Sequence, residues 1–299
     1  MITTTMECTI ERRLLVNYRI QPEFVAPLLP RPFRPQLISG LAVGGVCLIR
    51  LGGFRPGRLP RVPGLSTENA AHRFAVEWDD GNGTQAGVYV PRRDTNSRIT
   101  SSAGGTLFPG SYQLARFEID ERADHLRIDV SSRDGRMQLT VAAATAGVLG
   151  SELFATLGDA VGFFRRGALG LSPSARTGRL DAVCLHSATW AAQPMIVEHI
   201  RSSLFDDTRL FPRGTCSLDS ALVMRNLPAR WATHQAPTLV VPRLSALARL
   251  APGRIIMAKR TVAGVLWQLP DHPLARKVAR HGYQGLSGQR LGSAQRDHL

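Results

Sequence analysis

Arginine, and almost never lysine, carries the positive charge of this chain, and that narrows the chemistry open to it. Of 37 basic side chains only Lys259 and Lys277 are lysines. A guanidinium stays protonated and is not nucleophilic, but its fork of N–H groups holds a carboxylate well. Two arginine groupings stand out. Arg73 and Glu77 lie four residues apart in an alternating segment, on the face opposite Phe74, Val76 and Trp78. Such a pair reads first as a solvent-exposed ion pair of little energetic worth, and second as a lumen-facing pair that could bind an anion. Arg92-Arg93-Asp94 follows the next alternating segment. One of its arginines could grip a carboxylate bidentately, and Asp94 reads as a turn or cap residue.

Other groups carry weaker signals. Tyr89 alternates with Val88 and Val90 and reads as a structural aromatic rather than a catalytic acid. His72, His125, His186, His199 and His234 are scattered, with no pair at metal-ligand spacing, so no metal is expected. Ser111, Ser202 and Ser203 sit in no GxSxG elbow. Gly44-Gly45 and Gly104-Gly105 complete neither a dinucleotide fingerprint nor a P-loop, so no cofactor is expected either, and they suit sharp bends in a sheet. Cys8, Cys47, Cys184 and Cys216 are far apart, which argues against a zinc site or disulfide framework and for a reducing, cytoplasmic setting.

The elements that would position these groups are mostly strands. Phe74, Val76 and Trp78 alternate with polar residues up to Asp80-Gly81-Asn82-Gly83, after which Gly87-Val88-Tyr89-Val90 returns. Leu126, Ile128 and Val130 do the same up to Asp134-Gly135, with Met137, Leu139 and Val141 returning. Period-two faces joined by Asp-Gly turns predict antiparallel hairpins. Further strands are expected over 41–51, 113–119, 181–190, 194–201 and 215–225. Short helices are expected over Glu23–Leu29, over Asn96–Leu107, and from Ser151 as N-cap to Ala168, where Leu153, Phe154, Leu157, Val161 and Phe164 form an apolar stripe. No apolar run reaches membrane-spanning length, and the N-terminus has no secretory pattern.

The net charge of +14 is unevenly spread. Residues 237–299 hold ten Lys or Arg against Asp271 and Asp297, while the first 236 residues are close to ordinary. We therefore expect a main domain over 1–236 and a basic, partly disordered C-terminal extension over 237–299. The extension interleaves Arg243, Arg249, Arg254, Lys259 and Arg260 with apolar residues. That pattern could touch a membrane surface or nucleic-acid phosphates, but Pro252-Gly253 breaks its periodicity and favours a solvated appendage.

Four segments resemble the acetoacetate-decarboxylase-like superfamily, and more closely its YqjF-like branch of uncharacterised bacterial proteins. They are Leu14 to Arg19 with Leu28 to Phe33; Thr67-Glu68-Asn69 with Gly87 to Arg93; Ala103 to Gly110; and Phe211-Pro212 with Leu218 to Arg225. The resemblance implies a mostly β fold, a closed antiparallel barrel with short helices. It implies that Glu68 faces the barrel lumen and that Arg12 is a substrate-facing arginine of the first strand. In the decarboxylases the third segment carries a Schiff-base lysine; here Gly110 and Ser111 stand in its place. With no lysine before Lys259, such catalysis by this domain is excluded unless a tail lysine enters the barrel.

The expected function is a barrel binding a small molecule, an apolar or carboxylate-bearing acid, through Arg12, Glu68, Arg73 and Arg93, with Glu68 sharing one cavity with at least one of the arginines. The alternatives are a lysine-independent enzyme on a small organic acid with Glu68 as its acid or base, and a protein working on nucleic acid or membrane through its tail. Homo-oligomers are compatible with either.

Overall fold

The computed structural model describes residues 5–57, 64–103, 110–174 and 179–237. The predicted tail contacts and most of the Ala103 to Gly110 segment lie outside these residues. The chain divides into two units, Met1–Leu244 and Ser245–Leu299, and the first holds every described strand and helix.

The strands run in the order β1 (Thr5–Ile20), β2 (Arg34–Pro35), β3 (Leu37–Ile38), β4 (Leu41–Pro56), β5 (Leu65–Asp80), β6 (Gly83–Thr95), β7 (Tyr112–Glu121), β8 (His125–Ser132), β9 (Gln138–Thr145), β10 (Leu169–Pro173), β11 (Leu180–His186), β12 (Gln193–Ser202) and β13 (Cys216–His234). Helices α1 (Pro22–Val25), α2 (Arg98–Ala103) and α3 (Leu157–Arg166) interrupt them. Both predicted hairpins form: β5 pairs with β6 up to Asp80–Gly83, and β8 with β9 around Gly135, whose φ of 69° suits glycine.

Pairings β1–β4–β5–β6–β7–β8–β9–β12–β13–β1 close the sheet into a ring. A second ring shares β13, β1, β4, β5 and β6 and is completed by β10 and β11. The expected antiparallel pattern holds except at β6, which runs parallel to both β7 and β10.

Because side chains alternate across a strand, the shared strands present two faces, each with its own core. The first face carries Leu14, Val16, Val46, Leu48, Phe74 and Val76 and packs against Ile128, Val130, Leu139 and Val141 inside the first ring. The second carries Leu15, Val43, Ala75 and Leu222 and packs under Ala160, Phe163 and Phe164 of α3. A bulge in β1 inserts Glu11 opposite β4, where Ile10 pairs with Leu51 and Arg12 with Arg50.

Helix α3 begins later than the Ser151 cap predicts. Thr156 caps it in a reciprocal capping box with Asp159, while Ser151 and the amides of Glu152 and Leu153 bind Asp219 of β13. A local sequence pattern cannot show that a distant carboxylate takes the first capping serine. Helix α2 covers only Arg98–Ala103 of the predicted Asn96–Leu107 span, and residues 104–109 are outside the described residues. No helix of the described residues is long and apolar enough to cross a membrane.

Candidate functional site

The four predicted site residues fall on two faces. Glu68 stands on the first face with Ala70 and Phe74, and its row runs Arg225–Arg12–Arg50–Glu68 across β13, β1, β4 and β5. Arg12, 1% exposed, donates from Nη2 to Glu68 Oε2 at 2.6 Å and from Nη1 to Glu121 Oε2 at 2.7 Å. Arg225 also binds Glu121, and Arg50 binds Glu11 at 2.8 Å while standing 3.8 Å from Glu68. Glu121 ends β7, so this ladder of opposite charges ties opposite walls of the first ring together. Burial pushes the Glu68 carboxyl above its usual range, outweighing the attraction of Arg12 and Arg50.

The same face holds His72 and Arg92, paired across β5 and β6. His72 is buried, its Nε2 is 3.0 Å from Ser202 Oγ, and burial with Arg92 nearby lowers its pKa to about 4, so it is neutral at pH 7. Arg92 grips Asp94 from Nε and Nη2 at 2.8 and 2.7 Å and reaches Asp134 at 2.9 Å. Asp94 is therefore a fully buried ion-pair partner within β6, and the turn-or-cap reading of it is corrected.

Arg73 lies on the second face. The expected exposed pair with Glu77 does not form: Arg73 is 3% exposed, donates from Nη2 to Asn17 Oδ1 at 2.5 Å, and lies 4.6 Å from the Phe164 ring centroid, while Glu77 binds Arg34. Its row is Ser220–Asn17–Gly45–Arg73, and a Cβ on Gly45 would collide with the β1 backbone at Val16. Burial lowers its pKa to about 10, with Cys47 opposing and Arg13 adding to the shift. Periodicity alone assigned this face to solvent because it cannot see that α3 covers it.

Arg93 also belongs to the second face, opposite Ala71. Its Nε donates to Ser172 Oγ at 2.8 Å and its guanidinium sits 5.8 Å from the Tyr112 ring centroid. It lines a cavity of about 100 Å³ inside the second ring, whose walls are mainly apolar, with Cys47, Ile49, Leu51, Val183 and Trp231 among them. Thr100 and Tyr112 also line it, and no Asp or Glu is among its described lining residues. The Thr100 hydroxyl is buried without a hydrogen-bond partner, while the Trp231 indole N–H is directed at Cys8 Sγ. The volume far exceeds the ~10–15 Å³ one water needs and falls short of the ~300 Å³ of drug-sized sites. A larger concavity of about 1260 Å³ is an open groove that includes Glu7, Arg55, Arg165 and Arg230 and none of the four predicted residues.

Glu68 is thus brought together with one of the arginines, Arg12, though neither lines the two cavities described above, while Arg73 and Arg93 stand on the other side of β5. Gly110 lies beside the Arg93 cavity. Its φ is 90°, its amide donates to Asp181 Oδ2 at 2.8 Å, and a Cβ there would meet Arg93 Nε at 3.2 Å and Ser172 Cβ at 3.4 Å. Arg93 and Ser172 fill the space a longer side chain at this position would need. The sequence missed Ser172, Tyr112, Thr100 and Trp231, which strands β10, β7 and β13 and helix α2 bring together from distant parts of the chain. Among the described residues, no group of three or more His, Cys, Asp or Glu could hold a metal ion.

The family model described as an uncharacterized conserved protein (COG2071), DUF2071, matches residues 7–217. No curated protein matches the chain. Among solved structures, acetoacetate decarboxylase from Legionella pneumophila superposes with a TM-score of 0.50 at 12% identity, covering 79% of this chain and 87% of its own. An acetoacetate decarboxylase-like enzyme from Sphingomonas wittichii RW1 gives 0.49 at 11%, covering 77% and 90%. The enduracididine biosynthesis enzyme MppR, complexed with pyruvate, gives 0.49 at 11%, covering 78% and 88%. At such identity the Legionella likeness shows the fold alone. With a family model spanning most of its length, this chain belongs to the DUF2071 family and carries an acetoacetate-decarboxylase-like fold.

Proposed function

We propose that the cavity at Arg93 binds a small carboxylic acid with a short apolar body, and that it does so without Schiff-base chemistry. One observation carries this reading: a guanidinium anchored through Nε to Ser172 faces an apolar cavity with no acidic side chain among its described lining residues. A cation so placed favours an anionic ligand, and Ser172 fixes the orientation of the fork. Thr100, whose hydroxyl has no hydrogen-bond partner, belongs to the same walls. The structurally similar Legionella protein is by its name a decarboxylase of acetoacetate, itself a small carboxylate. Here the main domain has no lysine, and the site that would hold one is a glycine in left-handed conformation.

The Glu68 acid–base reading draws support from the raised carboxyl. Against it, Glu68 faces the packed interior of the first ring and is already held by Arg12. The test is calorimetric titration of the full chain with acetate, butyrate, hexanoate and butyramide. Butyrate should bind and butyramide at least tenfold more weakly, since a charged hydrogen bond is worth about 1.5–3 kcal/mol. Arg93→Met should abolish the difference. Equal binding of acid and amide would defeat the proposal.

A further inference from the structure

Cys47 is the thiol of the Arg93 cavity, with no other cysteine among the described lining residues. Strand register sets its place. Cys47 of β4 pairs with Ala71 of β5, and Ala71 pairs with Arg93 of β6. Paired residues of antiparallel strands project to the same side, so thiol and guanidinium share the second face. Two strand spacings put about 10 Å between their backbones, and only the small Ala71 side chain stands between them in the row. An acid whose carboxylate sits at Arg93 can therefore extend over Ala71 towards Cys47.

A second group in the same walls lacks a partner. Thr100 of α2 is 5% exposed, and its hydroxyl makes no hydrogen bond. A buried polar group in that state is completed by a ligand atom. The cavity thus combines a cation, a thiol and an unpartnered hydroxyl within mainly apolar walls. The other cysteines are placed differently. Cys8 and Cys184 border the open groove, and burial pushes up the thiols of Cys8, to about 11, of Cys216, to about 12, and of Cys184. That holds them protonated, whereas the thiolate is the nucleophilic form of a cysteine.

We propose that Cys47 captures the aldehyde end of a short oxo-carboxylic acid as a thiohemiacetal, with the carboxylate at Arg93 and the aldehyde oxygen at Thr100. The sulfur–carbon bond forms as the C=O π bond breaks, and the thiol proton passes to the former carbonyl oxygen. The addition needs no oxidant, reductant or third reactant, and it reverses by the same path. The inference rests on the reading of the cavity as a carboxylate site, and it adds a covalent hold at the other end of the ligand.

Butyrate and 4-oxobutanoate have equal chain length and differ in the aldehyde, so their affinity ratio isolates the thiol. Both are titrated into the full chain and into Cys47→Ser, Cys184→Ser and Arg93→Met, and 4-oxobutanoate labelled with ¹³C at the aldehyde carbon is followed by NMR. The unaltered chain should bind 4-oxobutanoate at least tenfold more tightly than butyrate and show a bound thiohemiacetal carbon that excess butyrate displaces. Cys47→Ser should bring the ratio near one and remove that resonance; Cys184→Ser should change neither, and Arg93→Met should weaken both acids. If Cys47→Ser fails to fold, the displacement in the unaltered chain decides, and a thiohemiacetal signal that butyrate leaves untouched counts against the proposal. A ratio near one in the unaltered chain, or a signal that persists in Cys47→Ser, overturns the role of Cys47 while leaving the carboxylate reading intact. Absence of binding by butyrate and 4-oxobutanoate alike overturns both.

Discussion

Arg12→Met tests the ladder that joins the walls of the first ring. Arg12 is fully buried between Glu68 and Glu121, and removing one partner of a buried pair costs about 3–5 kcal/mol. Glu121 keeps Arg225, whereas Glu68 keeps only Arg50 at 3.8 Å, so the loss should fall near the lower end, about 3 kcal/mol at pH 7. At roughly 2–4 °C per kcal/mol for a domain of this size, Tm should drop by about 6–12 °C. The deficit should depend on pH with a definite sign. The Glu68 pKa is already raised in the folded state, so its ionisation penalises folding as pH rises through the folded value and is silent below the unfolded one. Removing Arg12 raises it further, so the deficit should shrink on acidification from pH 7 to about 4.5, near the ordinary glutamate value. Urea unfolding at both pH values gives the measurement, with the double variant Arg12→Met/Glu68→Leu as control. The double variant should be more stable than Arg12→Met, because no carboxylate is left buried alone. A loss below about 1 kcal/mol, or a double variant no better than the single, would refute the reasoning.

Three further outcomes are expected. Thr156→Ala removes the α3 capping box and should cost about 1 kcal/mol by urea unfolding; an unchanged midpoint would show that the cap is dispensable. His72, with its pKa lowered to about 4, contributes stability present above the unfolded value near 6.5 and lost as pH falls between the two. This amounts to about 3 kcal/mol from the size of the shift, so His72→Gln should flatten stability against pH in that window, and an unchanged slope would contradict it. Borohydride with acetoacetate should leave no reduced adduct on the protein, nor on Gly110→Lys, whose left-handed φ and contact with Arg93 should lower Tm instead. An adduct on Lys259 or Lys277 would bring the tail into the site.

Much of the sheet was legible because its signals are local. The Asp-Gly turns and alternating faces of β5–β6 and β8–β9 fix those hairpins without reference to the rest of the chain. The fates of single charged residues were not local. Arg73 reads as exposed until α3, far along the chain, lays Phe164 over it. Asp94 resembles a turn residue because periodicity does not show that Arg92 folds back over it and on to Asp134. Glu68 and Arg12 were named from the resemblance and do meet, but the division of the arginines between two faces depends on which strands share both rings.

The central claim is that the cavity at Arg93 holds a small carboxylate. The most direct measurement is isotope-filtered NMR of the full chain with ¹³C-labelled butyrate. The account predicts intermolecular contacts from the butyrate methyl to the methyls of Val183 and Ile49, abolished by Arg93→Met. Saturable binding with no contact to those methyls, or contacts that persist unchanged in Arg93→Met, would contradict it.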